Sequence, residues 1–379
     1  MTWQLSEEQR MIQMMVREFA RKEIEPEAAE FDRQGRFPVE VVRKMGELGL
    51  LGMMVPSRYG GSEAGAVSYS LALQEIAYSC ASCAVTMSVS NLSCEPLLLF
   101  GTEEQKLRWL PSLTGGGALG AFALTEPEAG SDPGGIRSTA RKVGGAYRIS
   151  GTKVFITNGG YADVIVYVAR TRPEGGNKSL AAFLIPRNTA GFQVGPEEEK
   201  MGLRASNTVS LFLEDCTVPE EHRIGREGDG FRVAMGALDG GRIGIASQAT
   251  GIGQACLDEA VRYSQERRQF GRFLSSFQAI AWMIADMATE LEAARLLTLE
   301  AARQKDQGLP FTRAASMAKL FASEMSNRAA YSALQIHGGY GYTRHFKVER
   351  LYRDARVTTL YEGTSEVQRI VISRETLGG

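Results

Sequence analysis

Cysteine and histidine are scarce in this chain: five and three among 379 residues. A small, odd number of cysteines is no disulfide framework. Cys80 and Cys83 form one C-x-x-C, and no second pair lies at zinc spacing. The surrounding "EIAYSCASCAVTMSVS" reads as a buried helix of small residues, so packing is the expected role. His222, His337 and His345 fit no H-x-x-H or HExxH pattern, and no catalytic metal centre is expected. Long hydrophobic runs are missing as well; none approaches the ~18 residues of a spanning helix. Nor is there an excess of one charge. A net charge of −1 gives no basis for nucleic-acid or membrane-surface binding. The opening "MTWQLSEEQR" is polar and acidic, unlike a secretory or transit peptide. A cytosolic protein is expected, and a mature matrix protein without its presequence fits as well.

What is present is ordinary globular composition, 44% apolar and 23% charged, over a length that suggests two or three domains. Residues 1–117 read as helical. Ser6 and Gln9 form a capping box, Ile12, Met15 and Phe19 follow at helical spacing, and Pro26 ends or bends the helix. "FPVEVVRKMGELGLLGMMVP" gives a second amphipathic helix, and "GTEEQKLRWLPSLTGGG" gives a helix with a proline stop. Residues 118–222 are rich in β-formers and turns. "AYRISG", "KVFITN", "DVIVYVAR", "LAAFLIP" and "TVSLFLEDC" read as strands of an antiparallel sandwich or barrel. Residues 223–379 return to long Ala-rich helices of the kind that pack in a four-helix bundle.

A dinucleotide fingerprint needs G-x-G-x-x-G/A between strand and helix. "GIGQAC", 251–256, has Cys256 in place of the last glycine and lies in a helical pattern, so it is not one. Three other stretches carry candidate chemistry. "AFALTEPEAGSD", 121–132, runs a strand into a loop of exposed N–H groups and hydroxyls. "KVFITNGG", 153–160, sets Phe155 and Thr157 on one face of a strand. "YEGTSEVQR", 361–369, puts a single carboxylate, Glu362, at the start of a helix.

With "ERRQFG", "LDGGR", "QIHGGYGY" and "LYRDARV", these motifs run through the whole chain, which resembles the acyl-CoA dehydrogenases, FAD enzymes with an α–β–α domain order. The resemblance implies that an acyl thioester loses an α-proton to a base and a β-hydride to flavin N5, giving a trans-2-enoyl-CoA. Glu362 matches the base. Its shielding by substrate, flavin and Tyr361 would raise its pKa toward the operating pH. The backbone N–H of Glu362 and a ribityl hydroxyl are implied donors to the thioester oxygen. Some members carry the base just before the arginine of "LDGGR"; here that position is Gly241, which cannot serve.

By the same resemblance, Phe122, Leu124, Thr125, Gly130 and Ser131 line FAD, with Ser131 also near the CoA arm. Phe155, Ile156 and Thr157 pack on or bond the ring, Thr157 near N5, and Phe155 stands where the family often has Trp. Asp239, Arg242, Tyr361 and Gly363 fall at substrate positions. Arg267, Gln269, Phe270, Gln278, Gln335, Gly338 and Gly339 match residues that embrace the FAD of a neighbouring subunit, and Thr364 and Glu366 match further FAD contacts. A shared cofactor implies a homotetramer, a dimer of dimers. Electron-transfer flavoprotein is the implied acceptor. The segment "TMSVSNLSCEPLLLFG", 86–101, resembles short- and branched-chain members, and short to medium straight chains are expected. Two alternatives remain: a same-fold flavin oxidase reacting with oxygen, and a non-catalytic assembly paralogue.

Overall fold

Ser6 opens the first helix as expected: its hydroxyl accepts from Gln9 N–H, and the Gln9 side chain accepts from Ser6 N–H. In the computed structural model, which describes residues 4–378, this helix, α1 (Glu7–Phe19), widens into a π-turn, Ala20–Ile24, before Pro26. A short helix the sequence did not signal, α2 (Ala28–Gln34), follows and stops at Gly35. The second amphipathic segment holds only α3 (Val39–Glu47), because Gly49 takes a left-handed φ of 72°. The "YSCASC" stretch is two helices rather than one. Cys80 is extended, with φ −154° and ψ 108°, and separates α4 (Gly65–Ser79) from α5 (Ala81–Phe100). All five cysteines are buried free thiols.

By length and composition α5 would suffice to cross a membrane, but 83% of its apolar window is buried inside this protein. Its apolarity comes from being a core helix. α6 (Glu103–Thr114) is capped by Thr102 and contains Pro111 instead of stopping there. The proline falls in the last turn, and the Gly115 N–H closes the helix on the Pro111 carbonyl at 3.3 Å.

The middle of the chain forms β1 (Gly120–Ala123), β2 (Thr139–Val143), β3 (Ala146–Thr157), β4 (Val164–Arg170), β5 (Leu180–Pro186), β6 (Phe192–Glu197), β7 (Thr208–Pro219) and β8 (Arg223–Ile224). They join in one sheet of order β6-β7-β3-β2-β4-β5-β8, with β1 beside β4. Most pairs are antiparallel, but β1 runs parallel to β4, and Thr139 of β2 meets Arg170 of β4 in parallel register. The expectation of a purely antiparallel sheet is corrected in this respect. "AYRISG" and "KVFITN" prove to be one strand, β3, whose register against β7 slips between Lys153 and Ile156. Both sheet faces are covered. One buries Tyr147, Ile149, Phe183 and Leu211; the other buries Val164, Val166 and Leu184 against Leu97, Leu110 and Val233 of the helices.

The third part opens with α7 (Gly230–Glu266), then a small hairpin of β9 (Arg268–Gln269) and β10 (Arg272–Phe273). α8 (Gln278–Asp306), α9 (Thr312–His337), α10 (Val348–Arg356) and α11 (Ser365–Leu377) complete it. α7, α8 and α9 share one core with α4 through small side chains such as Ala246, Ala294, Ala318 and Ala322. Three residues of α10 reach three separated stretches. Arg350 donates to Ser79 O at 3.2 Å, Arg353 forks onto Asp32 at 2.9 and 2.7 Å, and Asp354 accepts from Leu203 N–H at 2.6 Å.

Candidate active site

β1 ends at Ala123, and the chain leaves the sheet toward the bundle. A buried ion pair holds the exit. Lys153 Nζ, with no exposure, donates to Leu124 O at 2.9 Å and to Glu126 at 2.8 Å, while Glu126 accepts from Arg137 N–H at 2.6 Å and Ser138 N–H at 3.1 Å. Burial pulls the Lys153 ammonium down to about 8. Burial also raises Glu126, but Lys153 and the donated hydrogen bonds outweigh it and leave the carboxylate below its ordinary range. On β3 the strict alternation expected of a strand is broken. Phe155 has φ +59° at the register slip, which turns its ring outward, 65% exposed, while Ile156 is buried. A bulge of this kind re-aims side chains at a site.

These two stretches form one wall of a cleft of about 200 Å³, lined by Phe122, Leu124, Thr125, Gly130, Ser131, Phe155, Ile156 and Thr157. The opposite wall is Val85, Val89 and Leu92 of α5, Met235, Leu238, Arg242 and Ile245 of α7, and Tyr361, Glu362, Gly363 and Val367. Twelve expected residues thus meet in one place. A planar ring system with polar edges fits the first wall. Phe122, Leu124, Phe155 and Ile156 offer apolar faces, Thr125, Ser131 and Thr157 carry hydroxyls, and the space beside Gly130 is open to 4 Å.

Glu362 and Gly363 both take left-handed backbone, with φ of 53° and 88°. Thr364 follows as the cap of α11, its hydroxyl accepting from Val367 N–H at 3.3 Å. The turn swings the Glu362 carboxylate back toward α7. Its Oε2 is enclosed and, among the described residues, has no hydrogen-bond partner. Among the described residues the Glu362 backbone N–H has no backbone acceptor either. Burial pushes the carboxyl up to about 7, and Arg242 and then Lys319 pull it back. Tyr361 donates its hydroxyl to Gln248. Arg242 is buried and ion-paired with Asp239, whose other oxygen accepts from Thr312 at 2.6 Å. Asp239 therefore stands behind Arg242 rather than in the cleft lining. Burial raises the Asp239 carboxyl even against the pull of Arg242.

The remaining expected residues gather elsewhere. Arg267, Gln269, Gly338 and Gly339 line a second, open cavity of about 490 Å³ with Tyr263 and His337. Phe270 projects 92% exposed from the hairpin, and Gln278 at the start of α8 and Gln335 near the end of α9 are exposed. Glu366 is exposed on the first turn of α11. Sequence reasoning missed Lys153, Glu126, Lys319 and Gln368. The last two act on the backbone of the Glu362–Gly363 turn, and their one sequence signal is a lone Lys and a lone Gln on otherwise small or apolar helix faces.

Three family models, described as the N-terminal, middle and C-terminal domains of acyl-CoA dehydrogenase, match residues 6–117, 121–216 and 228–377. An acyl-CoA dehydrogenase of Bacillus subtilis is 50% identical, with 99% of each chain covered. The mitochondrial short-chain specific acyl-CoA dehydrogenase of Mus musculus is 48% identical over 99% of this chain and 91% of its own. Among solved structures, butyryl-CoA dehydrogenase of Megasphaera elsdenii superposes with a TM-score of 0.98 at 42% identity, covering 100% of both chains. A chain from a structure described as the electron transferring flavoprotein of Acidaminococcus fermentans does so at 0.98 and 45%, again over 100% of both. The chain belongs to the acyl-CoA dehydrogenases, FAD-dependent oxidoreductases acting on CH–CH donors.

Proposed function

We propose that Glu362 is the base of an α,β-dehydrogenation of short to medium straight-chain acyl-CoA, giving the trans-2-enoyl-CoA. The observation that carries this is the enclosed, unpartnered Oε2 of Glu362, directed into a cleft whose other wall is built for a planar ring. A carboxyl held near 7 by burial is ionised enough at neutral pH to accept a proton and basic enough to keep it. The free N–H of Glu362 is the chain's own donor to a thioester oxygen as charge develops there. Bound FAD supplies the acceptor for the β-hydride. Phe122, Phe155, Ile156, Thr125, Ser131 and Thr157 would hold its ring, Arg242 and Tyr361 would border the thioester, and Val85, Val89, Leu92, Leu238 and Ile245 would take the acyl tail.

The small cleft and the short-chain specific relative support the chain length. The Acidaminococcus likeness supports electron-transfer flavoprotein as acceptor. Phe270, 92% exposed next to Gln269 of the second cavity, and Trp282, 60% exposed on α8, support a homotetramer that completes an FAD site across subunits. There Arg267, Gln269, Phe270, Gln278, Gln335, Gly338 and Gly339 would serve a neighbour's cofactor. The test is an anaerobic titration of the purified flavoprotein with acyl-CoAs of graded length, with Glu362→Gln alongside. Bleaching of the oxidised flavin by short chains, lost in the variant with FAD retained, is the expected result. A variant that still bleaches at near-normal rate removes Glu362 from the role.

A further inference from the structure

The small-residue face of α9 carries one cation. Lys319 has no exposure and lies among Ala315, Ala318, Ala322 and Ser323, all buried. Its Nζ donates to the Gly363 carbonyl at 2.7 Å. Gln368 Nε2 donates to the same carbonyl at 3.0 Å and to the Glu362 carbonyl at 3.1 Å. Together they hold the left-handed turn that carries Glu362. A neutral amide such as Gln368 suffices for a carbonyl, and burying an ammonium for that purpose alone is costly. The excess is the charge, and the carboxylate that acts on it most is Glu362.

We propose that Lys319 is a positioning residue for the base: its ammonium pins the Glu362–Gly363 turn by a carbonyl, and its charge keeps the Glu362 carboxylate ionisable in a site whose burial opposes ionisation. The inference rests on the reading of Glu362 as proton acceptor. Burial pulls Lys319 down to about 7. Of the other charges facing this space, Arg242 of α7 also draws Glu362 down, and more than Lys319 does, although it is itself paired with Asp239. Glu324 of α9 and Glu366 of α11 are acids, as is Glu95 of α5, which is tied to Lys305 of α8. Tyr361 and Tyr69 of α4 are held neutral by burial. Lys319 adds to the pull of Arg242 on Glu362, and it is the one of the two whose hydrogen bond goes to the carbonyl of the turn itself.

The experiment is the pH dependence of flavin bleaching by acyl-CoA, followed by anaerobic stopped-flow on the holoenzyme. Lys319→Gln keeps a donor for Gly363 and removes the charge. Its acid limb is expected to move up by about one pH unit, a tenfold loss below the limb, with the high-pH plateau within about threefold. Gln368→Met is expected to lower the plateau and leave the limb in place. Lys319→Arg, charged at every pH used, is expected to keep the limb at or below its wild-type position. A limb unmoved in Lys319→Gln, or moved up in Lys319→Arg, overturns the proposal; the second result decides even where the first variant fails to fold. Glu362→Gln separates the two readings. If it bleaches normally, the base assignment fails; if it does not bleach and the Lys319→Gln limb stays put, only the role of Lys319 fails.

Discussion

A Cβ built on Gly241 would lie 2.6 Å from Oε2 of Glu362. The Glu362 carboxylate therefore occupies space that an α7 side chain would otherwise fill, and the two exclude each other. Gly241→Ala is expected to retain FAD and to displace the carboxylate from its reacting geometry. A misplacement on the order of 1 Å costs about 100-fold in rate. Stopped-flow bleaching with a short acyl-CoA measures it, and a rate within threefold of wild type contradicts the account.

Glu362 also carries a cost that the fold bears for function. Its carboxyl sits at about 7 in the folded protein against 4.5 ordinarily, because burial disfavours the anion. The native state thus binds the proton more tightly than the unfolded chain. Its contribution to stability is whole below about 4.5 and is lost as pH rises through about 7. Glu362→Gln holoenzyme is expected to melt higher than wild type at pH 8.5, with the gap closing toward pH 5. A gap that grows on acidification would reverse the sign and refute the burial argument.

The Lys153–Glu126 pair offers a different test. Lys153→Met leaves Glu126 buried without its cation, at a cost of about 3–5 kcal/mol. Because the pair fixes Leu124 and the loop after it, the same variant is expected to purify with less FAD per subunit. Urea unfolding and the ratio of flavin to protein absorbance report the two effects. Full flavin content in a strongly destabilised protein would mean that the pair serves the sheet alone.

Gln248 takes the Tyr361 hydroxyl, and removing that bond should loosen the residue before Glu362 without touching the carboxylate's charge. Tyr361→Phe is expected to slow bleaching by about fivefold, about 1 kcal/mol for one hydrogen bond, with the acid limb unmoved. A shifted limb would mean that the hydroxyl acts on Glu362 directly.

The cleft was legible in the sequence to the extent that its residues present side chains from motif loops. Glu362, Thr125, Ser131, Phe155 and Thr157 come from three stretches whose composition changes abruptly from their surroundings. What did not show was backbone. The bulge that turns Phe155 outward depends on how β3 pairs with β7, and strand periodicity predicts the opposite. Lys319 and Gln368 serve carbonyls, and no residue type marks a carbonyl that needs a donor. The break at Cys80 has no proline or glycine to announce it, and both helices it separates are almost wholly buried. The order of helical, β and helical regions, by contrast, followed from composition, since each region buries its own periodic face.

α10 contributes no residue to the cleft lining, yet Arg350, Arg353 and Asp354 grip Ser79 and Asp32 in the helices before the sheet and Leu203 in the loop before β7. Besides the core that α4 shares with α7, α8 and α9, one nine-residue helix thus staples all three regions, and none is expected to be shed alone. Heating should take it apart in one calorimetric event, so that the sheet and the turn that carries Glu362 are lost together.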